Sequence, residues 1–162
     1  MENLWAPWRL EYILSDKDGE CFLCRILSAD EADDRENLVL KRGKKCAVVL
    51  NRYPYNNGHL MVCPIRHIGE LGLMDADERL ESMDLVGECV EALKATIHPD
   101  GFNVGMNLGR VAGAGLEEHI HTHIVPRWNG DTNFMPVLGD IKVVPQYLHE
   151  LWDQLYPVIN RV

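Results

Sequence analysis

Nowhere in the 162 residues does an apolar run approach the roughly 20 positions that a membrane helix needs. A membrane partner is therefore not expected. The opening stretch, MENLWAPWRLEY, lacks the basic start and greasy middle of a secretion signal. Positive charge is scarce as well: 16 Lys and Arg stand against 25 Asp and Glu, a formal net charge of −9. Such a surface repels nucleic-acid backbones unless a local basic patch overrides it. The one basic cluster, LKRGKK at 40–45, is expected to be a solvated hairpin, so no nucleic-acid partner is expected. No internal repeat, low-complexity tract or Pro/Gly/Ser-rich linker divides the chain. With 46% apolar residues it is expected to fold as a single domain over 1–162, soluble and cytoplasmic.

Cysteine usage is uneven. Cys46, Cys63 and Cys89 sit singly inside apolar runs, where cysteine behaves as a small hydrophobe. Cys21 and Cys24 form CFLC. In a chain without an export signal that spacing suggests metal or redox chemistry rather than a structural disulfide.

Hydrophobic patterning gives an α+β expectation: an antiparallel sheet with one long and one or two shorter helices. WAPWRLEYIL reads as a short helix. Strands are expected at 37–42 and 45–51 around a Gly43 turn, at 59–65 ending on Pro64, at 102–107 and at 119–125. Ala76, Leu80, Met83, Val86, Val90, Leu93 and Ile97 recur at intervals of three and four, which predicts a helix over 75–97 with those residues inward. Asp75 and Glu78 supply its capping pair, and HPDG ends it. A proline-led helix is expected at 145–159.

The chemistry concentrates in EEHIHTHIVPRW, where His119, His121 and His123 alternate. The spacing alone permits a metal site, an acid–base relay or three buried rings. On a strand, alternate side chains share a face about 6.6 Å apart, so the outer two rings stand roughly 13 Å apart. Metal–imidazole bonds are about 2.0–2.1 Å, so the three cannot bind one ion without breaking the strand. Burying all three without partners is costly. The preceding loop, NLGRVAGAGLEEH, places Gly109, Gly113 and Gly115 close by, and glycines let backbone amides converge on a phosphate oxygen. A neutral imidazole facing such a cradle can attack phosphorus, splitting one hard displacement into two easier ones.

HIHTHIV resembles the signature of the histidine triad family, three histidines alternating with apolar residues, with Thr122 as the departure. The resemblance extends through CFLC, GHLMVCPIRH, GFNVGMNLG and AGAG in the family's order. WAPWR and VPRWNGDTNFMPV are most similar to a bacterial branch related to diadenosine polyphosphate phosphorylases and hydrolases. It implies a homodimer of the family's fold that cleaves at the α-phosphate of adenosine nucleotides, dinucleoside polyphosphates foremost, through a nucleotidyl-histidine intermediate. His121 is then the nucleophile, with His123 and His59 beside it. Asn107 and the loop at Gly113, Ala114 and Gly115 hold the phosphate, and Asn51 contacts the ribose where relatives commonly carry aspartate. Apolar residues at strand ends and the first helix line the base slot.

The same resemblance implies a structural zinc on Cys21, Cys24, His67 and His119. Many relatives carry Gln and Ser or Thr in the loop before the triad, to reach the leaving group, and AGAGLEE has neither. Arg110, backbone amides or another segment must then serve. Glu117 and Glu118 are expected to face solvent. A nucleoside phosphoramidase and a nucleotide binder with little catalysis stand as alternatives, and Trp128 could stack on a base, shield the site or join subunits.

Overall fold

The structure, a computed structural model, describes residues 20–131 and 146–161. The N-terminal helix expected in WAPWRLEYIL and the TNFMPV end of VPRWNGDTNFMPV lie outside these residues. Five strands form one antiparallel sheet: β1 Val39–Arg42, β2 Cys46–Leu50, β3 Leu60–Pro64, β4 Gly101–Met106 and β5 Thr122–Arg127. Their order is β1-β2-β3-β5-β4. Among the described residues four α-helices accompany them: α1 Phe22–Ser28, α2 Asp34–Asn37, α3 Ala76–Ile97 and α4 Leu148–Ile159. The expected α+β architecture is what the chain adopts.

Both faces of the sheet are covered, which explains why CAVVL and LMVCP are apolar throughout rather than alternating. Leu40, Val48, Leu50, Leu60, Val62 and Ile124 meet α3 and α4 on one face. Val39, Ala47, Val49, Met61 and Cys63 meet Leu23, Ile26 and Leu27 of α1 on the other. Cys46, Cys63 and Cys89 are fully buried, and burial pushes the Cys46 thiol up to about 12. They pack as small hydrophobes, as expected.

The expected hairpin encloses Gly43, whose amide donates to the Cys46 carbonyl. Its basic cluster is more structural than the expected solvated loop. The Glu81 carboxylate accepts the amides of Lys44, Lys45 and Cys46. Arg42 pairs with Asp34 at 2.6 Å and donates to the carbonyls of Ile26, Leu27 and Ala29, tying down the end of α1.

α3 begins with the expected capping box: the Asp75 carboxylate accepts the Glu78 amide, and Glu78 accepts the Asp75 amide, both at 2.8 Å. His98 ends it in the left-handed conformation, φ 49°. Its inward face differs from the expected one. Leu80 and Met83 are 64% and 62% exposed, while Glu78, Ser82, Leu85, Val86, Cys89, Ala92 and Leu93 are buried. The two stripes share Val86 and Leu93, but the observed one runs through polar and small residues. Glu78 tolerates burial because Arg66 grips it bidentately at 2.9 and 3.0 Å.

α4 starts at Leu148, three residues later than expected, with extended Tyr147 as its N-cap. Pro145 lies outside the described residues. β5 also starts late, at Thr122 instead of 119. The Ile120 amide donates to the Ile68 carbonyl at 2.7 Å instead of joining β3, and His119 turns away to bond the Pro64 carbonyl. No helix among the described residues is long and apolar enough to cross a membrane.

Candidate active site and metal centre

Breaking the strand before Thr122 separates the three histidines into two groups. His119 joins His67, their ring centroids 5.2 Å apart. His121 and His123 stay together, edge to face at 4.7 Å, and His123 lies 5.0 Å from His59. His123 pairs in register with Met61 of β3 and with Gly105 of β4. Residues opposite one another share a face, so His123 stands on the α1 side of the sheet.

A carbonyl oxygen only accepts, which fixes the proton on each ring. The His121 Nδ1–H donates to the His119 carbonyl at 2.8 Å, leaving Nε2 with its lone pair. The ring is buried, and burial holds its pKa below the usual histidine range. His121 is therefore a neutral imidazole with one nucleophilic nitrogen.

The proton is placed the other way along the neighbouring pair. His59 Nδ1 receives the Tyr55 amide at 3.0 Å and the Asn51 side-chain amide at 3.3 Å. Its Nε2–H then donates to His123 Nδ1 at 2.9 Å. The Tyr55 amide at 3.0 Å outweighs the Asn107 Nδ2, a donor that stands at 3.5 Å from His123 Nε2 and turns a hydrogen to the Gly113 carbonyl, so His123 carries its proton on Nε2. His121, just before β5, and His123, on it, thus carry opposite tautomers, one an acceptor and one a donor.

His121, His123, Asn51 and Gly115 line one cavity of about 1040 Å³. Phe22 and Ile26 of α1, with Leu38, Val49 and Met61, form an apolar wall. Asn107 donates to the Gly113 carbonyl at 3.4 Å. Gly113 itself has φ 85°, which favours glycine, and caps the short turn Arg110–Ala112. Among the described residues no hydrogen bond uses the amides of Ala114 or Gly115. Glu117 and Glu118 are exposed as expected, at the rim of the same cavity. Trp128 is not among the lining residues; its indole donates to the His98 carbonyl at 3.2 Å.

Cys21, Cys24, His67 and His119 converge so that one ligand atom from each lies within 4.8 Å of the others. Cys24 Sγ is 3.1 Å from His67 Nδ1, and Cys21 Sγ is 3.3 Å from His119 Nδ1. Ligands on a tetrahedral zinc stand roughly 3.3–3.8 Å apart, from bond lengths of about 2.1 and 2.3 Å. The His119 Nε2–H is spent on the Pro64 carbonyl at 2.7 Å, so Nδ1 presents a lone pair to the cluster. Burial, then the neighbouring Cys21, pushes the Cys24 thiol up to about 11. Two thiolates side by side need a cation, and this donor set fits zinc.

Gly69 brings the two halves of that cluster together. A Cβ there would lie 2.7 Å from the Glu117 carbonyl oxygen and 3.1 Å from the Glu118 Cα. Only glycine lets the segment carrying His67 pass so close to the one carrying His119. Neither Gly69 nor the Tyr55 amide was foreseen from the sequence. A backbone donor has no residue-type signature, although Tyr55 does lie four residues before the histidine that it orients.

Comparison with known proteins agrees with this geometry. A profile of the HIT domain matches residues 33–130. The chain belongs to the HIT family. An AP-4-A phosphorylase of Mycobacterium tuberculosis is 40% identical over 156 residues, covering 93% of this chain and 80% of its own length. The solved structure of a hypothetical histidine triad nucleotide-binding protein from Sulfolobus tokodaii is similar with a TM-score of 0.67 and 27% identity, covering 86% of this chain and 91% of its own. A zinc-bound histidine triad family protein from Mycobacterium smegmatis also has a TM-score of 0.67, at 23% identity over 86% and 93% of the two chains, and shares the HIT fold.

Proposed function

We propose that this HIT protein cleaves dinucleoside polyphosphates at the α-phosphate of an adenosine nucleotide, through a covalent nucleotidyl-His121 intermediate. The observation that carries the reading is the His121–His119 hydrogen bond, which leaves Nε2 as a lone-pair nitrogen on a ring lining the cavity. The similarity to an AP-4-A phosphorylase supports the substrate class.

In the first step the Nε2 lone pair bonds to the α-phosphorus. The bond from phosphorus to the bridging oxygen breaks, and the oxygen leaves with that electron pair on the remaining polyphosphate. The His123 Nε2–H and the amides of Ala114 and Gly115 hydrogen-bond the phosphoryl oxygens. The imidazolium formed keeps its Nδ1–H on the His119 carbonyl. Water or inorganic phosphate then attacks phosphorus; the phosphorus–Nε2 bond breaks, its electron pair returns to Nε2, and the proton of an attacking water is released to solvent. Phe22, Ile26, Leu38, Val49 and Met61 hold the base, and Asn51 meets the ribose through the second lone pair of its Oδ1.

The leaving group favours this substrate over a phosphoramidate. A terminal phosphate has a second pKa of about 6 and departs without a proton. An amine must be protonated as it leaves, and the loop AGAGLEE offers no side chain to do so. A binder without catalysis would have no need of a neutral, oriented His121.

Cys21, Cys24, His67 and His119 would hold zinc with four protein ligands, closed to substrate and structural. The chain is also proposed to act as a homodimer. β4 is a sheet edge with Val104 exposed, and Leu80 and Met83 present apolar surface on α3.

Incubation with diadenosine tetraphosphate tests the reading. ATP and AMP mark water as acceptor, and ATP and ADP mark phosphate. Recovery of intact substrate under both conditions would overturn it.

A further inference from the structure

The Asn51 side chain is committed at both ends. Its Oδ1 accepts the Tyr53 amide at 2.9 Å, which fixes the orientation of the amide group and points Nδ2 at His59 Nδ1. Together with the Tyr55 amide it places two N–H donors on one ring nitrogen. That nitrogen cannot also carry a proton. His59 is fully buried and is packed between the Tyr55 ring, at 4.6 Å, and His123, at 5.0 Å, with His121 beyond. Among the described residues the rings packed on it are one phenol and two imidazoles, and a second proton on this ring would leave two donors facing a third N–H.

We propose that Asn51 is a positioning residue that sets the leaving-group range, because its amide keeps the His59–His123 pair neutral and so without a proton to give. The inference rests on the nucleotidyl-transfer reading of the site. In the neutral pair His123 Nε2–H can hydrogen-bond a phosphoryl oxygen, but transferring that proton outright would leave an imidazolate. Only groups that depart as stable anions, polyphosphates among them, are then expelled efficiently.

A carboxylate at the same position reverses the polarity. It removes one of the two donors and would accept from His59 Nδ1 against the single Tyr55 amide that remains, and an opposite charge at such a distance favours the imidazolium. The pair then holds one extra proton. As His121 Nε2 bonds to phosphorus and the phosphorus–nitrogen bond breaks, the leaving nitrogen takes the electron pair of that bond and the His123 Nε2 proton. His59 Nε2–H passes to His123 Nδ1, and both rings end neutral.

The test compares wild type, Asn51→Asp and Asn51→Ala on diadenosine tetraphosphate and on an adenosine 5′-phosphoramidate with an alkylamine leaving group. The expected result is that Asn51→Asp raises the ratio of kcat/KM for the phosphoramidate to that for the tetraphosphate by about tenfold or more, one pKa unit being a factor of ten. Asn51→Ala, which removes one of the two donors but adds no charge, shifts the ratio in the same direction by less than Asn51→Asp. In 15N-histidine-labelled protein, His59 Nδ1 is an unprotonated nitrogen at pH 7.5 in wild type and a protonated one in Asn51→Asp. An unchanged ratio and unchanged 15N shifts in Asn51→Asp would overturn the inference while the wild-type enzyme still turns over tetraphosphate. Wild-type protein inert toward both substrates would instead sink the reading beneath it.

Discussion

His121 is held by the main chain of His119: the Nδ1–H of one donates to the carbonyl of the other at 2.8 Å, two residues away. The same His119 presents its own ring to Cys21, Cys24 and His67. One short irregular segment before β5 therefore ties the candidate nucleophile to the candidate metal cluster. The tie depends on the strand starting at Thr122, since a regular strand from 119 would send all three rings to one face.

Replacing the nucleophile should separate chemistry from binding. His121→Asn removes the attacking nitrogen but keeps a polar side chain of moderate size. Turnover of diadenosine tetraphosphate is expected to fall at least about a thousandfold, as removal of other catalytic nucleophiles does. Affinity for AMP, measured by calorimetry, should change by less than about threefold, since the apolar wall and the loop are untouched. Wild-type protein quenched during turnover should carry a phosphorus–nitrogen adduct that the variant lacks. Turnover near the wild-type rate would remove His121 from its role.

Metal removal should act on stability first. Protein purified without chelator is expected to contain close to one zinc per chain, and stripping it should lower Tm by roughly 5 °C or more, because a ligand bound only by the folded state stabilises by mass action. Cys24→Ser should reproduce the loss and make Tm insensitive to added zinc. A zinc-to-chain ratio near zero would sink the assignment.

The helix cap makes a pH prediction. The Arg66 guanidinium, assisted by the Asp75 amide, holds the Glu78 carboxyl below the usual carboxylate range. Its stabilisation is complete above the unfolded-state pKa of about 4.3 and drains away as pH falls below that value toward the depressed folded one. Wild type should therefore lose more Tm between pH 5 and pH 3 than Glu78→Gln, which has no carboxyl to protonate. Glu78→Ala, which loses the cap and orphans Arg66, should cost about 2 kcal/mol at pH 7. Parallel Tm–pH curves for wild type and Glu78→Gln would contradict the assignment.

Residue types with strong chemical signatures were readable in advance. The CFLC pair stood out by its spacing, the family resemblance implied His67 and His119 as its partners, and the four meet in one cluster; the Asp75–Glu78 box caps its helix as the spacing implied. The inward face of α3 was not readable, because counting apolar residues selects Leu80 and Met83 over Glu78 and Ser82. The burial of Glu78 is decided by Arg66, which is distant in sequence and brought near only by the fold. The start of β5 was missed for a similar reason. Alternation over 119–125 fits a strand, and only tertiary partners (the Ile68 and Pro64 carbonyls) pull Ile120 and His119 out of the ladder.

Gly69 offers the sharpest check on how the two centres are joined. Its missing side chain lets the backbone at 117–118 approach to where a Cβ would stand 2.7 Å from a carbonyl oxygen. The neighbouring Ile68 carbonyl accepts the Ile120 amide, so the two segments cannot separate without losing that bond. Gly69→Ala must therefore displace residues 117–119, which carry His119 and, through its carbonyl, orient His121. Zinc content and kcat should fall together, with a stability cost of about 1–3 kcal/mol, the range for overpacking a tight contact. The wall formed by Phe22, Ile26 and Met61 lies on other elements, so KM for the nucleotide should move far less than kcat. A Gly69→Ala protein with full metal content and wild-type kcat would show that the segment yields without disturbing either centre, and the proposed link between them would fail.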